Sequence, residues 1–283
     1  MMTDRRDNKR LAMTDGPESW GYLHDGRLIA LIDAAHAAAD LTLTHYRQMD
    51  LVVEAKADDS PVTIADKSAE QLVRHRIGDA FTDDTVQGEE FADAVGGSRY
   101  RWIVDPIDGT KSFVCGVPLY STLLALLIDD EPLAGIIVIP ALGETVCAAV
   151  GMGCWYRPRR DARWSRSRVS SKTDMRSSVL LTSQRDLFLR RGAEANFAAL
   201  EEIAWVTRTW GDGYGYLLVA TGRAEIMVDP QCNPWDIAAM GPILSEAGGQ
   251  FSDWKGVASV TSGEGVATNG KLHDEVLRHL RDV

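Results

Sequence analysis

The chain has 283 residues, 45% of them apolar and 25% charged, with a net charge of −11. That is enough for one large domain or two modest ones sharing a cleft, and the negative balance argues against non-specific binding to nucleic acid or an anionic membrane. An anionic substrate therefore needs local positive charge, for which metal ions are the obvious source. Cys115, Cys147, Cys154 and Cys232 are far apart with no C-x-x-C spacing, which reads as reduced thiols in a cytoplasmic protein. No run of about 18 apolar residues predicts a transmembrane helix, and Met1–Arg10 lacks the apolar core of a signal peptide.

In chain order, residues 1–22 are expected to be disordered, 23–160 to form an α+β half, and 161–283 an α/β half. The spacing of Leu28, Ile29, Leu31, Ile32, Ala35 and Leu41 predicts a helix over 28–47. A strand is predicted at 51–53 and a second helix over 61–78, with Thr63 and Asp66 near its start. Thr85 and Val86 read as a strand leading into Gly88-Glu89-Glu90.

Trp102-Ile103-Val104 predicts a short buried strand that breaks at Pro106 and turns at Gly109, leaving Asp105 and Asp108 at its end. A bare D-x-x-D also fits a solvated acidic turn. If the two carboxylates are close, however, one must take a raised pKa or a cation must sit between them. A hard divalent ion such as Mg²⁺ suits carboxylate, carbonyl and water oxygens.

Residues 119–128 and 133–139 are apolar runs separated by Asp129-Asp130-Glu131-Pro132, a hairpin signature. Strands are predicted at 144–150 and 154–156. The basic, polar stretch 157–171 is the expected boundary between the halves. Beyond it, strands at 179–182, 205–209 and 225–228 alternate with helices at 193–203, 213–220 and 235–247, as in an α/β layer. Asp236 falls in the first turn of the last helix, where a carboxylate can serve as a simple N-terminal charge or as a ligand.

Taken together, Thr63-x-x-Asp66, Gly88-Glu89-Glu90, Trp102 through Thr110, Gly211-Asp212 and Trp235-Asp236 through Gly248-Gly249 resemble the inositol monophosphatase superfamily over about residues 25–283. The resemblance implies an αβαβα layered sandwich with a metal site between its halves, a homodimer, and a Mg²⁺-dependent, lithium-sensitive phosphomonoesterase. It assigns Glu89, Asp105 and the Ile107 carbonyl to a first metal, and Asp105, Asp108 and Asp236 to a second. It also brings Glu89 to a third, weaker ion, so two to three Mg²⁺ are expected, with Mn²⁺ as a substitute. It also implies that Thr110, supported by Asp66, orients and deprotonates the attacking water, with Glu89 beside them. Glu89, Ile107, Asp108, Gly109, Thr110, Arg208, Asp212 and Asp236 are the implied substrate contacts.

Lys111-Ser112-Phe113 and Gly116-Val117-Pro118, with the C-terminal Val266–Gly270 stretch, resemble the histidinol-phosphatase branch found in actinobacteria. A phosphate monoester, L-histidinol phosphate, is thus the expected substrate, with inositol-1-phosphate or a range of sugar phosphates as the alternative. Asp212 would pair with the amine that inositol phosphate lacks. Gly213 departs from that branch, which more often carries Cys or Phe there. Trp102, Trp210 and Trp235 are expected to pack in the core or an interface.

Overall fold

A computed structural model describes residues 16–56 and 60–281 of the protein. The expected disorder of residues 1–15 lies outside the described residues. Residues 16–22 depart from that expectation, because a 3₁₀ segment, Pro17–Gly26, leads into the first helix and buries Trp20 completely.

A seven-stranded sheet dominates the first half. Its order is β3 (Thr85–Gly88), β4 (Tyr100–Asp108), β5 (Ser121–Ile128), β6 (Glu131–Ile139), β7 (Glu144–Ala149), β8 (Gly153–Arg157) and β9 (Ser165–Arg166). It follows a two-stranded ribbon of β1 (Val53–Ala55) and β2 (Pro61–Thr63). β3 and β4 run parallel and every later pair in the large sheet is antiparallel. The second half carries β10 (Val179–Leu181), β11 (Val206–Arg208), β12 (Ile226–Asp229), β13 (Gln250–Ser252) and β14 (Gly265–Thr268), in the order β11-β10-β12-β14-β13.

The strands are apolar on both faces because both sheets are covered on both sides, and alternate residues feed different layers. Trp102, Val104, Leu124, Leu126 and Ile136 pack against helices Arg27–His45 and Ile64–Ala80. Their neighbours Ile103, Leu123, Ala125 and Ile137 face the middle layer, formed by helices Asp212–Ala220 and Met240–Glu246. Leu181, Met227 and Ala267 meet that layer from the second sheet. The outer face of the second sheet buries Leu180, Ile226, Val228 and Val266 beneath Phe197, Leu200, Val276 and Leu277, which belong to helices Glu194–Ile203 and His273–Arg281. The result is helix, sheet, helix, sheet, helix.

Four expectations shift locally. β4 does not break at Pro106: it runs to Asp108 through a register irregularity between Asp105 and Asp108, with Gly109 left-handed at φ 84° beyond it. The helix expected from residue 61 begins at Ile64, because residues 61–63 pair with β1 and Thr63 caps the helix. The helix expected over 235–247 divides into Pro234–Ile237 and Met240–Glu246. Pro242 has no N–H to donate to the Ala238 carbonyl, so the hydrogen-bond ladder is interrupted there. The chain leaves the first sheet after Arg166 and enters the second at Val179, so residues 165–166 belong to the first half, past the expected division at 160.

Trp102 is fully buried and its indole N–H donates to Asp84, whereas Trp210 is exposed. All four cysteines are free thiols. No helix among the described residues is long and apolar enough to cross a membrane.

Candidate active site

Asp105, Asp108 and Asp236 each offer a carboxylate oxygen within 4.8 Å of the others. The first two end β4, the strand next to the edge strand β3 of the large sheet. The third comes from the helix that follows β12, more than a hundred residues later. A cleft of about 300 Å³ opens over them, lined by Glu89, Asp108, Gly109, Thr110, Lys111, Asp212, Asp229 and Asp236 among others.

Each carboxylate of this group gives one oxygen to the fold. Asp105 Oδ1 accepts the Ile107 N–H at 3.1 Å. Asp108 Oδ2 accepts the Ser121 hydroxyl at 2.5 Å and the Gly213 N–H. Asp236 Oδ2 accepts the Asn233 N–H at 2.6 Å, a helix-capping bond. Asp66 repeats the arrangement: Oδ2 accepts the Thr63 N–H at 2.8 Å and the Thr63 hydroxyl at 2.6 Å, while Thr63 Oγ accepts the Ala65 N–H. For Asp66 and Asp236 the helix-start reading holds, since each caps the helix that carries it. Asp66 Oδ1 faces Thr110 Oγ1 at 3.3 Å, and that hydroxyl is also 3.1 Å from the Ile107 carbonyl.

The electrostatics of this group are unfavourable unless charge is added. Burial, then the neighbouring carboxylates Glu89, Asp108 and Asp236, hold Asp105 well above the usual carboxylate range. Burial raises Asp108 similarly, with Asp212 and Asp236 adding repulsion. Asp236 is pushed up to about 7 and Asp212 to about 6, again mainly by burial. Three converging carboxylates removed from water, with Asp212 buried nearby, favour a cation or bound protons. Three carboxylate oxygens within one coordination sphere are the donor set of a hard divalent cation, so the residues fit a Mg²⁺-type ion.

Glu89 lies beside this group without joining it. Its Oε1 sits 2.5 Å from Lys56 Nζ, which also contacts Glu90 Oε1 at 2.7 Å. The ammonium supplies the counter-charge, and the Glu89 pKa is nevertheless raised by burial. The Gly88-Glu89-Glu90 turn is anchored from below by the buried Glu70, which accepts the Glu90 N–H at 2.7 Å and pairs with Arg74. A side chain at Gly88 would overlap the Glu70 carboxylate.

Arg208 is not brought to the cleft. Its guanidinium is exposed, donates to the Thr207 carbonyl at 2.7 Å and lies 5.8 Å from the Trp210 ring centroid. Asp212 does reach the cleft, against Gly109. It is held at φ 53° by its N–H bond to Ser183 Oγ. Lys56, Glu70, Ser121, Ser183 and Asp229 went unrecognised in the sequence. Asp229 is buried and accepts from the Ser183 N–H at 2.9 Å, the Ser183 hydroxyl at 3.0 Å and the Tyr216 hydroxyl at 3.0 Å. Its only sequence signal was its place at the end of an apolar strand.

Comparison with known proteins identifies the family. The model of the inositol monophosphatase family matches residues 25–283. A histidinol-phosphatase of Mycobacterium tuberculosis is 41% identical over 257 residues, covering 91% of this chain and 98% of its own. A histidinol-phosphatase of Streptomyces coelicolor is 39% identical, covering 92% and 97%. A solved structure of the extragenic suppressor protein suhB from Bartonella henselae superposes with a TM-score of 0.83 at 25% identity, over 90% of this chain and 98% of that one. The chain belongs to the inositol monophosphatase family, and it is a phosphatase.

Proposed function

We propose that this enzyme hydrolyses L-histidinol phosphate to L-histidinol and phosphate in a Mg²⁺-dependent reaction, with Mn²⁺ as a substitute. The observation that carries the reaction class is the convergence of Asp105, Asp108 and Asp236 next to the Thr110–Asp66 pair. The choice of ester draws on two near-full-length relatives named histidinol-phosphatase and on the acidic Asp212 in the cleft wall.

Asp105, Asp108 and Asp236 would hold one cation, and Glu89 with the Ile107 carbonyl would extend the set toward a second. Bound divalent ions supply charge neutralisation at a phosphoryl group and acidify water in their neighbourhood. The remaining steps belong to side chains. Thr110 Oγ1 donates toward Asp66 and presents its lone pairs to the cleft, where they accept a proton from an incoming water. As it takes that proton, Thr110 gives its own hydroxyl proton to Asp66, whose pKa burial holds above the ordinary value, and the hydroxide left attacks phosphorus. The left-handed turn at Gly109 places the start of the short 110–114 helix at the cleft, where its backbone N–H groups would meet phosphate oxygens.

Asp212 supports the alcohol assignment. At neutral pH a carboxyl with a pKa near 6 is mostly ionised, and a cationic amine beside it would favour the charged form further. Replacing Asp212 with Asn keeps the left-handed backbone accessible and removes the charge. KM for histidinol phosphate is expected to rise about tenfold, the scale of a charge-assisted hydrogen bond, while inositol-1-phosphate hydrolysis stays within about twofold. Steady-state rates on both esters check this. A higher kcat/KM for inositol-1-phosphate in the unaltered enzyme would reject histidinol phosphate as the substrate.

The homodimer is part of the same proposal. Trp205 is 68% exposed and Trp210 45% exposed, on either side of β11, the edge strand that also carries Arg208. An apolar sheet edge of this kind is suited to cover by a second copy. A monomeric mass in sedimentation at micromolar concentration would remove this part.

A further inference from the structure

Asp108 accepts hydrogen bonds from both halves of the molecule. Ser121 opens β5 in the first sheet, and Gly213 sits in the first turn of the helix Asp212–Ala220 in the second half. Both donate to the same oxygen, Oδ2, and among the described residues no hydrogen bond reaches Oδ1. The fit is tight. A Cβ added at Gly213 would press into Ser121 Oγ and stand 3.0 Å from Asp108 Oδ2. The serine hydroxyl thus occupies the volume that a side chain at 213 would need, which ties the departure at Gly213 to the presence of Ser121.

We propose that Ser121 is a positioning residue for the divalent-cation site: with the Gly213 N–H it locks Asp108 in one orientation, committing Oδ2 to the fold and leaving Oδ1 for the cation. The proposal rests on the reading of Asp105, Asp108 and Asp236 as cation ligands. Fixing a ligand before the ion arrives removes the rotamer entropy that binding would otherwise cost. Because the two donors come from different halves, the site is complete only when the middle helix layer is docked on the large sheet.

The test is calorimetric titration of the substrate-free protein with Mn²⁺. Ser121→Ala keeps the Cβ and the buried strand but removes one donor. It is expected to weaken Mn²⁺ binding ten- to a hundredfold, the range seen when hydrogen-bond partners of metal ligands are removed. At saturating Mn²⁺ its kcat is expected to stay within about threefold of the parent, and Ser121→Thr is expected to restore the affinity. The Gly213→Ala background sharpens the test. There the added methyl already displaces the hydroxyl, so Ser121→Ala is expected to cause no further loss.

Unchanged Mn²⁺ affinity in Ser121→Ala would overturn the proposal, even if its melting temperature in chelator fell, since that is what a purely structural serine would give. Independent, multiplying losses in the double variant would overturn it too. Failure of the unaltered protein to bind Mn²⁺ at all would instead overturn the cation-site reading, and the two failures are distinguishable.

Discussion

Asp108→Asn is expected to lower kcat/KM for the phosphate ester by at least about a thousandfold at saturating Mg²⁺, while the protein remains folded. The amide oxygen can still accept from Ser121 and Gly213 at the position of Oδ2. Its amide NH₂ then points where Oδ1 stood, placing a donor against a cation. Losing several kcal/mol of charge stabilisation corresponds to a rate loss of about this size. The folded state should not suffer, because the substitution removes a buried carboxylate that its neighbours repel. Calorimetric melting in chelator should therefore give a midpoint equal to or above that of the parent. A variant retaining more than about a tenth of the parent kcat/KM would remove Asp108 from the reaction, and a variant that fails to fold would assign it a structural role.

The second large effect concerns stability and pH. Asp236 and Asp212 are raised to about 7 and about 6 in the folded chain, against ordinary values near 3.8. For a carboxyl raised in this way, the folded state is favoured while the group is protonated. That advantage is complete below the unfolded pKa near 4 and disappears as pH climbs through the folded values near 6 and 7. Without a cation the protein should thus lose stability from about pH 4 to pH 7. Differential interaction of this size is worth a few kcal/mol, or roughly 5–10 °C in melting midpoint for a chain of this length. Saturating Mg²⁺ favours the ionised form and reverses the trend, so the gap between the Mg²⁺ and chelator midpoints should widen as pH rises. Asp236→Asn should flatten the chelator curve. Parallel curves in Mg²⁺ and chelator would show that these carboxylates do not bind the ion.

The strength of both effects comes from the division of labour in the carboxylates. Asp66, Asp105, Asp108 and Asp236 each surrender one oxygen to a backbone N–H, and Asp66 and Asp108 add a hydroxyl to the same oxygen. A carboxylate held this way cannot rotate to escape its neighbours, so the repulsion is retained in the folded state and becomes available to a cation. Lys56 partly relieves Glu89 and Glu90, with its ammonium 2.5 Å from one and 2.7 Å from the other.

The sequence by itself determined the layered class, the strand carrying Asp105 and Asp108, and the helix starts carrying Asp66 and Asp236. These are local matters: apolar alternation, a glycine that accepts a left-handed turn, and side chains that cap the helix three residues ahead of them. It also gave the hairpin at Asp129-Asp130, both with positive φ as a tight turn between twisted strands requires. Only the tertiary structure decided which further residues support the site. Ser121, Ser183, Glu70 and Lys56 reach it across 13 to 33 positions and carry no spacing of their own. Tertiary packing also left Arg208 on an exposed edge instead of in the cleft. The difference is physical: a capping bond or a strand's alternation is set within one turn or a few residues, whereas a hydroxyl finds its carboxylate only after two sheets have packed against a shared layer of helices.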